Sequence, residues 1–304
     1  RAALEHLRSS ETSLKKIWLS LLHWLNRDTI KGSKKNIMSH YDLGNNFFEK
    51  FLDPTMSYSC ANFKNIGESL EIASTNKIDS ICTQLGLSSS DHLLEIGTGW
   101  GGLAIHAAEQ YGCRVTTTTI SEQQFDYVES LISQRGLQNQ ITLLKKDYRD
   151  LQGKYDKLVS VEMIEAVGLK FIPEFFRRCS SLLNSNGLML VQAITMEEQR
   201  FEKAKNSVDF IQRYIFPGGA LPTLTGLAVA ATRNTDLRPL DVRDITLHYS
   251  ETLKRWKKNF NENIQEIKDM GFDENFQRMW NYYLAYCEGA FFERAIGCVQ
   301  MQFH

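Results

Sequence analysis

An acidic residue followed by glycines at every second position runs through Glu95, Gly97, Gly99 and Gly101, within the stretch L-L-E-I-G-T-G-W-G-G-L from Leu93 to Leu103. Glycine adopts backbone angles that other residues avoid, so this spacing permits a tight turn and a close approach of the main chain to a ligand. Leu93, Leu94 and Ile96 read as a buried parallel strand and Leu103 to Gln110 as the helix after the turn, an arrangement that holds an adenosine cofactor. The same letters fit the dinucleotide pattern G-x-G-x-x-G through Gly97, Gly99 and Gly102. A dinucleotide fold, however, places an acid about 20 residues further on, at the tip of the second strand. Here the strand Arg114 to Ile120 ends in Thr116, Thr117, Thr118 and Thr119, and the first acid, Glu122, comes after it. Glu95 precedes the turn, where a carboxylate can attract the ammonium group of S-adenosylmethionine through ordered water or backbone. The balance favours the methyl donor over NAD, with a merely structural glycine turn as the third reading.

Four further pieces carry polar chemistry to the strand ends, where open α/β sheets bind their ligands. Asp53 to Phe63, D-P-T-M-S-Y-S-C-A-N-F, brings Tyr58, Ser59 and Cys60 together. Glu162 and Glu165 follow the fourth strand in V-E-M-I-E-A-V-G, Gln192 and Ile194 close the fifth, and Tyr249 follows the sixth. Each has a structural alternative: Cys60 as a small buried hydrophobe, Tyr249 as a core aromatic, Glu165 as a carboxylate at a helix start.

The elements that must position these groups alternate in the βαβ manner. Strands are expected at His92 to Ile96, Arg114 to Ile120, Ile141 to Asp147, Lys157 to Glu162, Leu188 to Ile194, Val242 to Leu247 and Ala295 to Phe303, the last forming an antiparallel hairpin on a parallel sheet. A segment over 1–67 precedes this domain, which spans 68–304 and carries a helical insertion at about 196–240. Within the insertion Phe201, Val208, Phe210, Ile211, Tyr214, Ile215 and Phe216 give one apolar side, with Arg200, Lys203, Lys205 and Arg213 nearby. It reads either as a lid beside an anionic lipid surface or as a peripheral helix. The N-terminal stretch Leu14 to Leu25 sets an apolar face of Leu, Ile and Trp beside Lys15, Lys16 and Arg27, which suits either a bilayer surface or packing on the protein.

Composition narrows the function. The 304 residues with 42% hydrophobic content suffice for a substantial core, and a net charge of -1 makes no case for a nucleic-acid partner. Cys60, Cys82, Cys113, Cys179, Cys287 and Cys298 are scattered without a C-x-x-C pair, so neither a metal site nor a secreted disulfide framework is expected. A reducing cytoplasm fits that usage. No apolar run approaches the roughly 18 residues that span a bilayer, so contact with a membrane would be peripheral. A chain that opens on Arg1 is also compatible with a piece of a longer protein.

Together these residues resemble the cyclopropane-fatty-acid synthases, including the mycolic acid cyclopropane synthases, from about Lys35 to the end. The motifs are Y-D-L-G-N-N-F-F at Tyr41 to Phe48, Y-S-C-A-N-F at Tyr58 to Phe63, E-I-G-T-G-W-G at Glu95 to Gly101 and D-Y-R-D-L at Asp147 to Leu151. They continue with E-M-I-E-A-V-G at Glu162 to Gly168, I-F-P-G-G at Ile215 to Gly219 and H-Y-S-E-T-L-K-R-W at His248 to Trp256.

The resemblance implies a Rossmann-like class I methyltransferase that moves a methyl group from S-adenosylmethionine to a cis double bond in an acyl chain, usually within a phospholipid. The resulting carbocation would lie near aromatic faces, the candidates being Tyr41, Phe47, Tyr58 and Tyr249. Loss of a proton from the added methyl then closes a cyclopropane ring. In the family a bound bicarbonate takes that proton, and by motif position its ligands here are Cys60, Glu165, Gln192, Ile194 and Tyr249. Gln192 stands where the family has His; an amide can donate a hydrogen bond but cannot relay a proton. The resemblance places Tyr58, Ser59, Glu95, Gly97, Gly99 and Gly101 around the donor, Thr119 and Gln124 at its ribose and adenine side, and Asp147 and Tyr148 flanking the adenine. Cys287 matches a family Cys that is also assigned to the active site. A homodimer is compatible with this family. The competing readings are a lipid methyltransferase with a methyl-branched product, N-methylation of a small amine, and a silent lipid-binding homologue.

Overall fold

A computed structural model of the protein describes residues 43–304, Ile66 excepted. The expected helix at Leu14 to Leu25 and the candidate Tyr41 lie outside the described residues. The chain enters through the short helix α1 (Asn45–Phe48) and the long α2 (Leu70–Gln84), which Ser69 caps by accepting the Ile72 N–H. There follow β1 (His92–Ile96), α3 (Gly102–Tyr111), β2 (Arg114–Thr118), α4 (Glu122–Gln134), β3 (Ile141–Leu144), β4 (Tyr155–Val161), α5 (Ile172–Leu182) and β5 (Leu183–Met196). The insertion supplies α6 (Glu198–Ala204), α7 (Phe210–Tyr214) and α8 (Leu224–Asn234). The chain then forms β6 (Pro239–Asp244), α9 (Thr246–Glu262), α10 (Ile264–Asp269), α11 (Glu274–Phe292) and β7 (Ile296–Phe303).

The strands form one seven-stranded sheet in the order β3-β2-β1-β4-β5-β7-β6. Only β7 runs against its neighbours, so the expected antiparallel ending on a parallel sheet is what forms. The β1 strand has the expected bounds. The second, fourth and seventh differ by one or two residues at an end, and three differ more, for local reasons. The third stops at Leu144 because Asp147 turns away to cap the short helical turn Tyr148–Asp150. The fifth starts early, at Leu183, which pairs with Tyr155. The sixth ends at Asp244, whose carboxylate accepts the Thr246 N–H at 2.8 Å and starts α9, so the expected strand residue Leu247 is helical.

Helices cover both sheet faces. Phe175, Phe176, Cys179 and Leu182 of α5 meet Leu158, Met189, Val191 and Phe303 on one face, joined by Leu227, Ala230 and Ala231 of α8. The stretch from 224 onward thus belongs to the sheet layers, and 196–221 is the part of the insertion that stands beside the strand ends. On the other face α2, α3 and α4 bury Ile78, Ile81, Ala104, Ala107, Val128 and Ile132 against Leu93, Val115, Val159 and Leu190. A third cluster lies across the strand C-termini, where Phe47, Phe48 and Phe51 interlock with Trp256 of α9 and Trp280 of α11. Fully burying side chains of this size stabilises by about 1.5–3 kcal/mol each. That anchorage fixes the loop that follows, Asp53 to Phe63, over the sheet.

Candidate active site

At the glycine turn the main chain enters the left-handed region at Gly97, Gly99 and Gly101, with φ of 97°, 53° and 87°. Gly102 opens α3, and a Cβ there would stand 2.9 Å from the Thr55 carbonyl oxygen. The turn is therefore packed directly against the Asp53–Cys60 loop. Within it the Thr98 hydroxyl is buried with no hydrogen-bond partner among the described residues, a polar group that can meet a ligand. Glu95 is buried at the end of β1, accepts the Thr117 hydroxyl at 2.6 Å, and is pushed up to about 8 by burial.

The other expected cofactor residues are distributed unevenly. Thr119 donates to the Gln124 carbonyl at 2.8 Å, which leaves the Gln124 NH₂ as the group it can offer. Ser59 accepts from the Lys77 ammonium at 3.0 Å, and Tyr58 shares a 2.9 Å hydrogen bond with Tyr283. Asp147 is gripped by Arg149 through Nε and Nη2, both at 2.7 Å. Tyr148 turns into the core cluster under α5, its ring 5.4 Å from that of Phe175. Its hydroxyl is buried without a partner, and burial pushes it up to about 12.

Glu162 is the centre of the second half of the site. It follows β4 with φ 49°, an unusual backbone for a non-glycine residue, of the kind that clusters where a side chain must be aimed. Its Oε1 accepts the Cys60 N–H at 2.9 Å and the Gln192 amide at 2.7 Å, and its Oε2 accepts the Tyr249 hydroxyl at 2.5 Å. The Cys298 thiol points to Oε1 at 3.7 Å. Gln192, fully buried, is held in turn by Gln300, which donates to its carbonyl at 2.9 Å and accepts from Gln84 at 2.7 Å. Two amides thereby lock the orientation of the N–H that faces Glu162.

Glu165 sits one turn further on. Its Oε1 accepts the Ile194 N–H at 2.5 Å, while its Oε2 is buried with no partner among the described residues. Burial first, and the neighbouring Glu162 charge second, push it up to about 8. For Glu162 burial raises the pKa, opposed by the hydrogen bonds from Tyr249, Cys60 and Gln192 and by the Lys77 charge. Burial raises both carboxyls, and their hydrogen bonds distinguish them: Glu162 accepts on both oxygens as an ionised group does, and Glu165, raised to about 8, keeps its proton at neutral pH.

Cys60, Glu162, Glu165, Gln192, Ile194 and Tyr249 are thus brought together. Cys60 donates its thiol to the Ala61 and Ile245 carbonyls at 3.3 and 3.6 Å, and burial raises its pKa, so it is no nucleophile. Cys287 is different: it lies on α11 against the aromatic cluster, with its thiol raised by burial and by Asp209. Phe47 is also taken up by core packing, ringed by Phe48, Phe51, Phe260, Phe272, Phe276 and Trp280. Tyr249 stacks on Phe291 at 4.3 Å, and Tyr58 lies between Phe48 and Trp256 at 5.3 and 5.2 Å.

Sequence reading missed Lys77. It is buried on α2, and Glu162, Asp53 and Glu95 all act on it while desolvation lowers its pKa. A signal existed: positions 70, 73, 74, 77, 78 and 81 share the buried face of α2, so a lysine at 77 had to point inward.

The insertion reaches this site. Ala220 N–H donates to the Glu165 carbonyl at 2.9 Å, and the Phe216 ring lies 6.3 Å from that of Tyr58. Its expected basic side is partly neutralised: Arg200 pairs with Glu197 at 2.8 Å and Lys205 with Glu202 at 2.7 Å.

Residues 29–301 match the family described as mycolic acid cyclopropane synthetase, and the chain belongs to that family. It is 39% identical over 266 residues to the tuberculostearic acid methyltransferase UfaA1 of Mycobacterium tuberculosis, covering 85% of this chain and 62% of that protein. It is 37% identical over 265 residues to the cyclopropane-fatty-acyl-phospholipid synthase of Escherichia coli K12, covering 87% and 66%. The chain therefore spans somewhat less than two thirds of the length of these curated relatives. Among solved structures, the mycolic acid cyclopropane synthase CmaA1 complexed with SAH and CTAB aligns with a TM-score of 0.82 at 29% identity, covering 89% of this chain and 97% of that one.

Proposed function

We propose that this member of the family transfers a methyl group from S-adenosylmethionine to the cis double bond of an unsaturated acyl chain, carried in a phospholipid, and closes a cyclopropane ring. The observation that carries the reading is the meeting of the glycine turn, through Gly102 and Thr55, with a half-buried Glu162–Glu165 pair under an aromatic wall. The relatives' names support a lipid substrate: one is a cyclopropane-fatty-acyl-phospholipid synthase and another a tuberculostearic acid methyltransferase. A solved relative holds SAH, the demethylated donor.

The turn residues fit the donor. Gly97, Gly99 and Gly101 expose backbone, the Thr98 hydroxyl lacks a partner, and Glu95 supplies a carboxyl beneath the turn. When bound, the donor supplies an electrophilic methyl on a sulfonium. An alkene is a weak nucleophile, so the chain's own part is to exclude water and align the reactants. The described side chains suit that task. Tyr58, Trp256, Tyr249 and Phe291 offer ring faces whose quadrupoles favour positive charge. The stretch 196–221 covers one side as a lid, and its apolar residues suit peripheral contact with a bilayer. Among the described residues no helix is long and apolar enough to cross one.

The test is mass spectrometry of mono-unsaturated phospholipid vesicles after incubation with enzyme and donor. A product heavier by a methylene and lacking its double bond is expected. A gain of methyl plus hydroxyl would replace ring closure by water capture, and no methyl transfer would overturn the reading.

A further inference from the structure

The five residues that the resemblance assigns to a bicarbonate already have partners within this chain. Cys60 N–H, the Gln192 amide and the Tyr249 hydroxyl all point at the Glu162 carboxylate, at 2.9, 2.7 and 2.5 Å. The remaining two, Glu165 and Ile194, bond to each other at 2.5 Å. An added anion would have to displace the Cys60, Gln192 and Tyr249 donors from Glu162 and would meet an ionised carboxylate in a desolvated cavity, where like charges repel strongly. The residues present do not fit a bicarbonate.

The geometry points instead to Glu162 as the chain's own replacement for that anion: its carboxylate is the base that takes the proton from the transferred methyl group. This rests on the proposed methyl transfer and adds the residue that completes it. The donors hold the carboxylate as they would hold a separate anion, two on one oxygen and one on the other. Gln192 suits this role better than an imidazole would, because a neutral amide donates without competing for the proton. The backbone at φ 49° aims the side chain back into the site rather than along the strand. Glu165 stays a neutral acid beside it, and Lys77 balances its charge from below.

The electron count closes. The alkene π pair forms the new bond to the methyl carbon, and the carbon–sulfur pair leaves with sulfur. One C–H pair of that methyl then bonds to the electron-poor carbon, and its proton moves to the Glu162 carboxylate, which becomes the neutral acid. Water removes that proton before the next turnover.

The experiment uses the full chain, vesicles of mono-unsaturated phospholipid, buffers stripped of carbon dioxide or supplemented with bicarbonate, and the variants Glu162→Gln and Glu162→Gly. Glycine accepts the backbone angle at this position, and circular dichroism establishes that each variant folds. Turnover of the parent should be the same in both buffers. Glu162→Gln should lose at least about 100-fold in kcat, the usual scale of a general base, while still binding SAH in calorimetry. Glu162→Gly should be slow in stripped buffer and accelerate with bicarbonate. Parent turnover that falls on stripping, or wild-type kcat in Glu162→Gln, overturns the assignment. A second arm needs no lipid: calorimetric titration of bicarbonate into the SAH complex should show binding to Glu162→Gly and none to the parent, and binding to the parent overturns the assignment. If the parent methylates no lipid the functional reading fails, and this titration still decides whether Glu162 fills the anion's place.

Discussion

Replacing Glu165 by Gln should change the stability of the protein in a pH-dependent way whose sign and size follow from its surroundings. Glu165 is half-buried, its Oε2 is buried without a partner among the described residues, and its pKa is raised from the ordinary 4.5 to about 8. The folded state then holds the proton more tightly than the unfolded chain. Stability from this group is fully present below the unfolded value and declines as pH rises toward 8, because the unfolded chain ionises freely and the folded one does not. Between those limits each pH step costs about 1.4 kcal/mol, so the penalty reaches about 3 kcal/mol at pH 7 and about 5 kcal/mol above pH 8. Glutamine keeps the acceptor for the Ile194 N–H and carries no titratable proton. The variant should therefore gain on its parent by about these amounts between pH 4.5 and pH 9, while Glu95 contributes equally to both proteins. Urea unfolding of the two proteins across that range measures the difference. A stability difference that is flat with pH would refute the raised pKa, and with it the division of roles between the two carboxyls. The same variant should lose turnover and keep SAH binding, because only the parent has an acid at this position.

Two further substitutions probe how the site is held. Gly102→Ala places a methyl group 2.9 Å from the Thr55 carbonyl, so the Asp53–Cys60 loop must move. Overpacking of this kind costs about 1–3 kcal/mol and should lower Tm by several degrees while weakening SAH binding; an unchanged Tm would contradict the contact. Tyr249→Phe keeps the stack on Phe291 but removes the hydroxyl that holds the Glu162 pKa down. The acid limb of kcat/KM should shift to higher pH, with a loss of about 1.5–3 kcal/mol in transition-state stabilisation, and an unshifted limb would separate Tyr249 from the base.

Most of the sheet was legible in the sequence because strands such as β1 carry apolar runs, β2 is rich in β-branched residues, and the glycine turn has a fixed spacing. The bounds of β1 and the antiparallel ending follow from those signals. The boundary at Leu247 was lost because a single Asp244 carboxylate decides where the helix begins, and alternation of apolar residues does not record that. At the site, residue types at strand ends gave the members but not the centre. Both Glu162 and Glu165 were visible after β4, yet only the left-handed backbone at Glu162 turns that side chain into the donors of Cys60, Gln192 and Tyr249. Phe47 and Tyr148 carry suitable rings for binding, and their burial in core clusters is a property of packing that composition does not reveal. Lys77 was the reverse, an inward charge recorded in helical periodicity alone.

The central claim is that a donor methyl reaches an acyl double bond and then loses a proton. Incubating the protein with S-adenosylmethionine carrying a fully deuterated methyl and with mono-unsaturated phospholipid tests it directly. The account predicts a lipid that has lost its double bond and retains two of the donor's three deuterons in a new ring. A product that keeps all three, or lipid without label, would contradict it.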